Sequence, residues 1–223
     1  ITAFSGDRLE DSFARDLESI SYSIPNVALD SLGPPGFANF TIRGLGSNSS
    51  IPSLEPAVGT FVDGIYLGTN AGVIQDFINL ESVEVLRGPQ GVLFGKNVAG
   101  GAVMMRTRRP GKDFLVRSKA AVNSFPGIML GSTIEGGLSD NLSASVTGYY
   151  AKDGGPYYNI TLDKDVGDMK TWFARAALYY DNDDFNAYLT FDHGENSGDS
   201  PIQQGVQTVD KLTDKKYVTA QNT

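Results

Sequence analysis

The second half of the chain carries five segments of about ten residues in which side-chain character alternates, a pattern that membrane-barrel strands and the strands of a soluble sandwich share. Residues 141–151 alternate with a period of two. Leu142, Ala144, Val146, Gly148 and Tyr150 fall on one face and Ser143, Ser145, Thr147 and Tyr149 on the other. Residues 172–180 place Trp172, Ala174, Ala176, Leu178 and Tyr180 against a face that includes Arg175. Phe185, Ala187, Leu189 and Phe191 oppose Asn186, Tyr188, Thr190 and Asp192, and residues 114–122 and 128–134 are weaker versions of the same pattern. A period of two is the mark of a strand with two unlike faces, and about ten residues is the length a tilted membrane-crossing strand needs. Five such strands cannot close a membrane barrel, whose smallest type has about eight, and a free five-stranded sheet leaves two unpaired edges.

The connections carry a second regularity. Ser139-Asp140 and residues 181–184 are tight turns, whereas residues 153–168 form a longer polar loop with Gly154, Gly155, Pro156 and Gly167. Residues 196–223 read as polar and patternless, and Ser124-Phe125-Pro126 as a small loop. Long connections thus fall on one side and short ones on the other, as in outer-membrane barrels. No run of about 18 apolar residues is present, which excludes a membrane-spanning helix but says nothing against strands.

The first half has a different grammar. Asp7 with Glu10 has the spacing of a capping box, and Phe13, Leu17 and Ile20 mark one helical face that should stop near Ser23, ahead of Pro25. Strands are expected over 26–29 and 40–44, a turn over 30–36, a polar loop over 45–56 and a short helical turn over 73–80. Residues 58–67 read as a hairpin turning at Asp63-Gly64. Residues 79–110 then give strand, glycine-rich turn, strand. Val83 and Val85 oppose Ser82, Glu84 and Leu86; Gly88, Pro89, Gly91 and Gly95 punctuate the turn; Gly100-Gly101 opens the second strand, 102–107.

This order of motifs resembles the plug domain of TonB-dependent outer-membrane receptors. The run E-V-L-R-G-P-Q-G-V-L-F-G-K-N-V-A-G-G at residues 84–101 follows that family's signature almost without gaps. Phe94 replaces the usual Tyr, Val98 replaces Ala, and Met104-Met105-Arg106 replaces an Ile-Asn-Ile-type run. Pro25-Asn26-Val27, Ile42-Arg43-Gly44 and Val62-Asp63-Gly64-Ile65-Tyr66 match three further plug motifs in the family's order. The resemblance implies an α+β plug domain over 1–110, a mixed sheet with short helices. Antiparallel transmembrane β-barrel strands follow over 111–223, the barrel incomplete: the N-terminal part of a longer receptor whose plug sits in a barrel of about 22 strands. The start at Ile1 fits a processed or trimmed chain, and the chain is expected to end inside an extracellular loop.

The resemblance also implies uptake, across the outer membrane of a Gram-negative bacterium, of a scarce ligand such as a ferric siderophore, cobalamin or a glycan. The inner-membrane TonB complex would pull on the plug, through a segment that normally precedes it. Outer-membrane lipid would surround the strands. Arg43 and Arg87 resemble the plug half of a charge cluster that pairs with barrel glutamates, a role suited to a permanently charged, bidentate guanidinium. The glycines and proline of the signature turn (Gly88, Pro89, Gly91, Gly95, Gly100, Gly101) are read as structural. Ligand-facing loops would carry Gly46, Ser47, Asn48, Ser50, Tyr66 and Asn70.

Other readings are weighed on the residues. Gly91 to Asn97 fails as a phosphate loop, because three residues separate the glycines and Asn97 stands where Ser or Thr would bind magnesium. Gly44-Leu45-Gly46 lacks a third glycine at Ser49. One His and no Cys make zinc improbable, and the acidic run around His193, read as a loop, is taken as solvated. No cofactor, metal or catalytic residue is expected. The net charge of −8 argues against nucleic acid. The Asn-x-Ser/Thr triplets at Asn39, Asn48, Asn141 and Asn159 are not read as glycosylation sites. Two alternatives stay open: a stand-alone β-rich binding module sharing the plug fold, with the later strands closing a soluble core, and a β-sandwich hydrolase using a carboxylate pair.

Overall fold

The computed structural model describes residues 1–11, 17–30, 39–46, 55–68, 79–123, 127–155, 157–159 and 163–199. In chain order the first half gives β1 (Thr2–Ser5), α1 (Gly6–Asp11), α2 (Leu17–Ser21), β2 (Val27–Asp30), β3 (Asn39–Ile42), β4 (Val58–Val62), β5 (Ile65–Leu67), β6 (Leu80–Arg87), α3 (Gly91–Phe94) and β7 (Gly101–Thr107). Five of these strands form one mixed sheet in the order β1-β6-β7-β4-β5, and β2 pairs with β3 separately. β4 and β7 run parallel; the other pairs are antiparallel.

The alternation in β6 decides where the core sits. Val83 and Val85 are buried with Val103, Met105, Phe4, Leu9 and Ile20 on the helix side of the sheet. Leu86 points the other way, yet it too is buried, packing with Phe61, Val98 and Ala102 under the glycine-rich loop. The sheet is therefore covered on both faces near its Gly101 end.

Local chemistry sets the helix start differently from the sequence expectation. The α1 helix begins at Gly6, and the backbone N–H of Arg8 donates to Ser5 Oγ at 3.3 Å, so Ser5 rather than Asp7 is the cap. Asp7 is taken instead by Arg108, whose hydrogen bond and charge hold its carboxyl below the ordinary carboxylate range. The support this pair gives the fold is present above that range and is lost as pH falls through it. Ser5→Ala is expected to cost about 0.5–1 kcal/mol in denaturant unfolding, as loss of a cap does. The β3 strand ends at Ile42, two residues earlier than read, because Arg43 and Gly44 both adopt positive φ, 53° and 78°.

The second half forms β8 (Leu115–Asn123), β9 (Gly127–Ser139), β10 (Leu142–Asp153), β11 (Tyr157–Asn159), β12 (Lys164–Val166), β13 (Met169–Asp181) and β14 (Asn186–Gly198). Five of them make one antiparallel sheet in the order β14-β13-β10-β9-β8. The turns at 140–141 and 182–185 lie at one end. At the other lies residues 154–168, read as plain loop, in which β11 and β12 pair as a small hairpin. That hairpin is fastened: the Gly167 N–H donates to Asp199 Oδ2 at 2.9 Å, and the Asp199 N–H to Asp168 O at 3.0 Å. β14 reaches Gly198, so His193 lies in a strand rather than a loop, its ring edge-on to Trp172.

Burial in this sheet is inverted relative to a soluble one. Ser143, Ser145, Thr147 and Thr133 are 1–4% exposed, while Val146 is 61%, Ile134 50%, Leu189 67% and Phe191 71% exposed. The register explains it. Val146 pairs with Ile134 and with Ala176, and Ala176 with Phe191, so one apolar face runs unbroken across the strands. The polar face is the one turned to the first half of the chain: Ser143 Oγ reaches Pro110 O, and Thr133 Oγ1 and Thr147 Oγ1 bond each other at 2.9 Å. A soluble sandwich needs the reverse arrangement.

Residues 12–16, 31–38, 47–54, 69–78, 124–126, 156, 160–162 and 200–223 lie outside the described residues; they include Phe13, most of the expected turn at 30–36, most of the 45–56 loop, most of the 73–80 turn, Ser47, Asn48, Ser50, Asn70 and the end of the chain, while Asp30 belongs to β2 and Leu80 to β6.

Candidate functional site

The signature residues gather at one end of the first sheet. Loop 88–100 folds back over the ends of β6 and β7: the Gly88 N–H donates to Gly100 O at 3.0 Å, Gln90 N–H to Val98 O at 3.1 Å and Gly100 N–H to Ala57 O at 2.9 Å. Gly101 is required twice over. Its φ is +150°, and a Cβ there would stand 2.2 Å from Leu86 O. Gly100 lies against Leu45 and Val58, whereas Gly91 faces open space and Pro89 is exposed. Gly88 and Gly95 hold φ of 98° and 76°.

Arg43 and Arg87 meet at this end. The Arg43 turn is closed by reciprocal bonds between Ile42 and Leu45, 2.9 Å each, and by the Arg43 N–H to Asn26 O. Arg87 Nη1 donates to Pro25 O at 3.3 Å. Arg43 Nη1 lies 4.0 Å from where a Cβ on Gly88 would be. Two matched motifs far apart in sequence thus place two guanidinium groups at one corner, and among the described residues neither forms an ion pair. Of the loop residues, Gly46 is exposed but backs onto Thr41, whose Oγ1 would be 2.3 Å from a Cβ. Tyr66 is half-buried, tilted on Phe61 at 5.3 Å and accepting from Asn97 Nδ2 at 3.0 Å, so it braces the glycine-rich loop. Lys96 ties that loop to Glu55 at 2.6 Å; their pairing lowers the carboxyl pKa and raises that of the ammonium. Val92 and Leu93 on α3 stand exposed at the same end, an apolar tip the sequence reading did not single out.

The opposite end carries a contact that sequence reasoning missed. Asp63, read only as a turn residue, has φ of +50° beside Gly64 at +83°. Its carboxylate accepts from the Thr107 N–H at 2.8 Å and from Thr107 Oγ1 at 2.7 Å. Thr107 Oγ1 also lies 3.0 Å from the Tyr188 hydroxyl on β14. Arg175 on β13 stands 3.9 Å from Asp63 and is hydrogen-bonded to Asp192. Arg109 lies over the rings of Tyr179 and Tyr188, 5.0 and 5.9 Å from their centroids. Ser143 Oγ donates to Pro110 O at 2.7 Å. A signal existed: Arg175 is a cation on the polar face of an alternating strand.

Among the described residues no group of three His, Cys, Asp or Glu side chains could hold a metal ion. Asp192 and His193 point to opposite faces of β14, Asp192 toward Arg175 and His193 toward Trp172.

The mixed sheet covered on both faces, with its glycine-rich loop, has the form of a receptor plug, and an antiparallel sheet lies with its polar face against it. Residues 1–102 match the family model for the TonB-dependent Receptor Plug Domain, and the chain is similar over most of its length to receptors of that kind. It is 29% identical over 186 residues to the Pesticin receptor of Yersinia pestis, covering 82% of this chain and 27% of the relative. It is 27% identical over 113 residues to the Iron-regulated outer membrane virulence protein of Vibrio cholerae, 49% of this chain and 17% of that relative. Among solved structures, the ferric yersiniabactin uptake receptor of Yersinia pestis superposes with a TM-score of 0.81 at 25% identity, over 92% of this chain and 33% of that one. The ferripyoverdine receptor of Pseudomonas aeruginosa shares the fold with a TM-score of 0.70 at 17% identity, over 87% and 25%. The chain thus spans about a quarter of the length of the curated receptor it matches over most of its own.

Proposed function

We propose that the chain is the plug and first wall strands of an outer-membrane receptor for TonB-dependent uptake of a ferric siderophore. The plug fills residues 1–110 and the wall begins at 111. The observation that carries the reading is the inverted burial of the second sheet. Its polar face is packed on the plug, and its apolar face, from Val146 and Ile134 to Phe191, is open. Such a sheet suits lipid on one side and a filled lumen on the other. The siderophore class is supported by the ferric yersiniabactin and ferripyoverdine receptors it superposes on. In this reading Arg43 and Arg87 form the cationic half of a plug lock completed by carboxylates of the wall, and the end of the plug they share is the one that opens. The TonB complex supplies the pull; the chain's own residues bind, seat and gate.

The soluble-module alternative would require the apolar face of the second sheet to be covered by its own core, and the exposed row through Val146 tells against it. The test is a strain lacking the native protein, grown under iron limitation with ferric yersiniabactin or ferric pyoverdine as sole iron source. Loss of growth on one of them, restored by the intact gene, together with recovery of the protein in the outer-membrane fraction, is the expected result. A protein found only in soluble fractions would defeat the reading.

A further inference from the structure

We infer that Asp63, Thr107, Arg175 and Tyr188 form a latch fastening the plug to its own first wall strands, at the end opposite the Arg43–Arg87 corner. The inference rests on the plug-and-wall reading above and adds a second fixing point to it.

Asp63 is positioned by backbone. The Asp63-Gly64 turn has both residues at positive φ, the two-residue form that matches strand twist, and the Asp63 N–H donates to Met105 O. This aims the carboxylate across the end of β7, where it takes both donors of Thr107. The β4–β5 hairpin and β7 are thereby joined into one rigid edge. From that edge two contacts leave the plug, both ending on neighbouring strands of the wall: Asp63 to Arg175 on β13 and Thr107 to Tyr188 on β14. Arg175 is only 11% exposed and stands between Asp63 and Asp192, so removing Asp63's charge leaves it with one carboxylate instead of two. Arg109 on the two tyrosine rings braces the same spot from below.

Charge-assisted bonds in a water-poor lumen are stronger than their surface equivalents. The contacts also tie together separate parts of the chain: Asp63 and Thr107 are 44 positions apart, and Thr107 and Tyr188 are 81. The latch end is therefore the fixed side of the plug, and displacement begins elsewhere.

The test uses the native protein purified from its membrane and reconstituted in planar bilayers, with urea added to loosen the plug and single-channel conductance as the readout. Asp63→Asn keeps a residue that tolerates positive φ but removes the charge. Thr107→Val removes the hydroxyl bonds, and Thr107→Ser restores them. Asp183→Asn, in the exposed turn, is the control. Asp63→Asn and Thr107→Val are expected to open at lower urea, with opening at least about tenfold faster at fixed urea. Thr107→Ser and Asp183→Asn should match the native protein. Native opening should quicken with added salt, and Asp63→Asn should respond less, a readout that a merely structural role would not move. If native and variant channels open alike, the latch is overturned while the pore reading stands. If the native protein gives no channel at any urea concentration, the plug-and-wall reading fails and the latch with it.

Discussion

Val146→Lys is expected to abolish recovery of the protein from the outer membrane, or to lower its stability there by about 2–4 kcal/mol, the cost of a lysine on the lipid face near mid-bilayer. The size of this effect depends on which solvent the residue meets. Val146 is 61% exposed and has no polar partner to lose, so in water the same change would lie within about 0.5 kcal/mol of neutral. Its register neighbours Ile134 and Ala176 share its face, which gives the lysine an apolar surround on both sides. The measurement is urea unfolding from lipid vesicles beside unfolding in detergent-free buffer. A loss of stability in lipid alone marks a membrane wall, and no loss in either would show that the face is bathed in water. Thr147, one residue on, gives the contrast. It is buried and bonded to Thr133, so Thr147→Val leaves a hydroxyl short of its partner without touching lipid.

Gly101→Ala should unfold the plug's sheet at the β6–β7 junction, with a loss of several kcal/mol. Two independent costs act there. A left-handed φ costs an L-residue about 1–2 kcal/mol. The added Cβ would also stand 2.2 Å from Leu86 O, a backbone atom of the neighbouring strand that cannot move aside without breaking the pairing of Arg87 with Gly101. Limited proteolysis is the check: cleavage within residues 79–110 should rise sharply, while cleavage of the second sheet should not. Gly91→Ala is the companion change. Gly91 has open space around it and begins a helical turn, so the substitution should leave the protease pattern as it was. Equal patterns for the two variants would show that the signature glycines do not have the separate roles described here.

What was legible in the sequence was whatever is settled within a few residues or by a strict period. The hairpin at 58–67 shows in Asp63-Gly64 between apolar arms, and the strands of the second sheet show in their alternation. The resemblance supplied the plug, and with it the pairing of Arg43 and Arg87 that the structure brings to one corner. What was not legible depends on partners far along the chain. Asp7 reads as the cap, yet Ser5 takes that place while Arg108, about a hundred residues later, takes Asp7. Asp63 reads as a turn residue because its turn is local, whereas its carboxylate is used by Thr107 and Arg175. His193 read as loop because Glu195, Asn196 and Gly198 are poor strand formers, yet register with β13 carries the strand through them.

The small hairpin of β11 and β12 is fastened where it leaves the sheet. Asp199 binds both Gly167 and the Asp168 carbonyl, and Val166 is buried against Gly155, so this projection is held at its base before anything touches it. Tyr157 and Tyr158 stand out from it, 58% and 60% exposed. Successive strand residues face opposite ways, so a group docking on either face would meet one ring on a mount fastened at its base and forfeit little disorder. Association there would show a smaller entropic penalty by calorimetry than association with a floppy loop of equal length, and Asp199→Ala would restore that penalty.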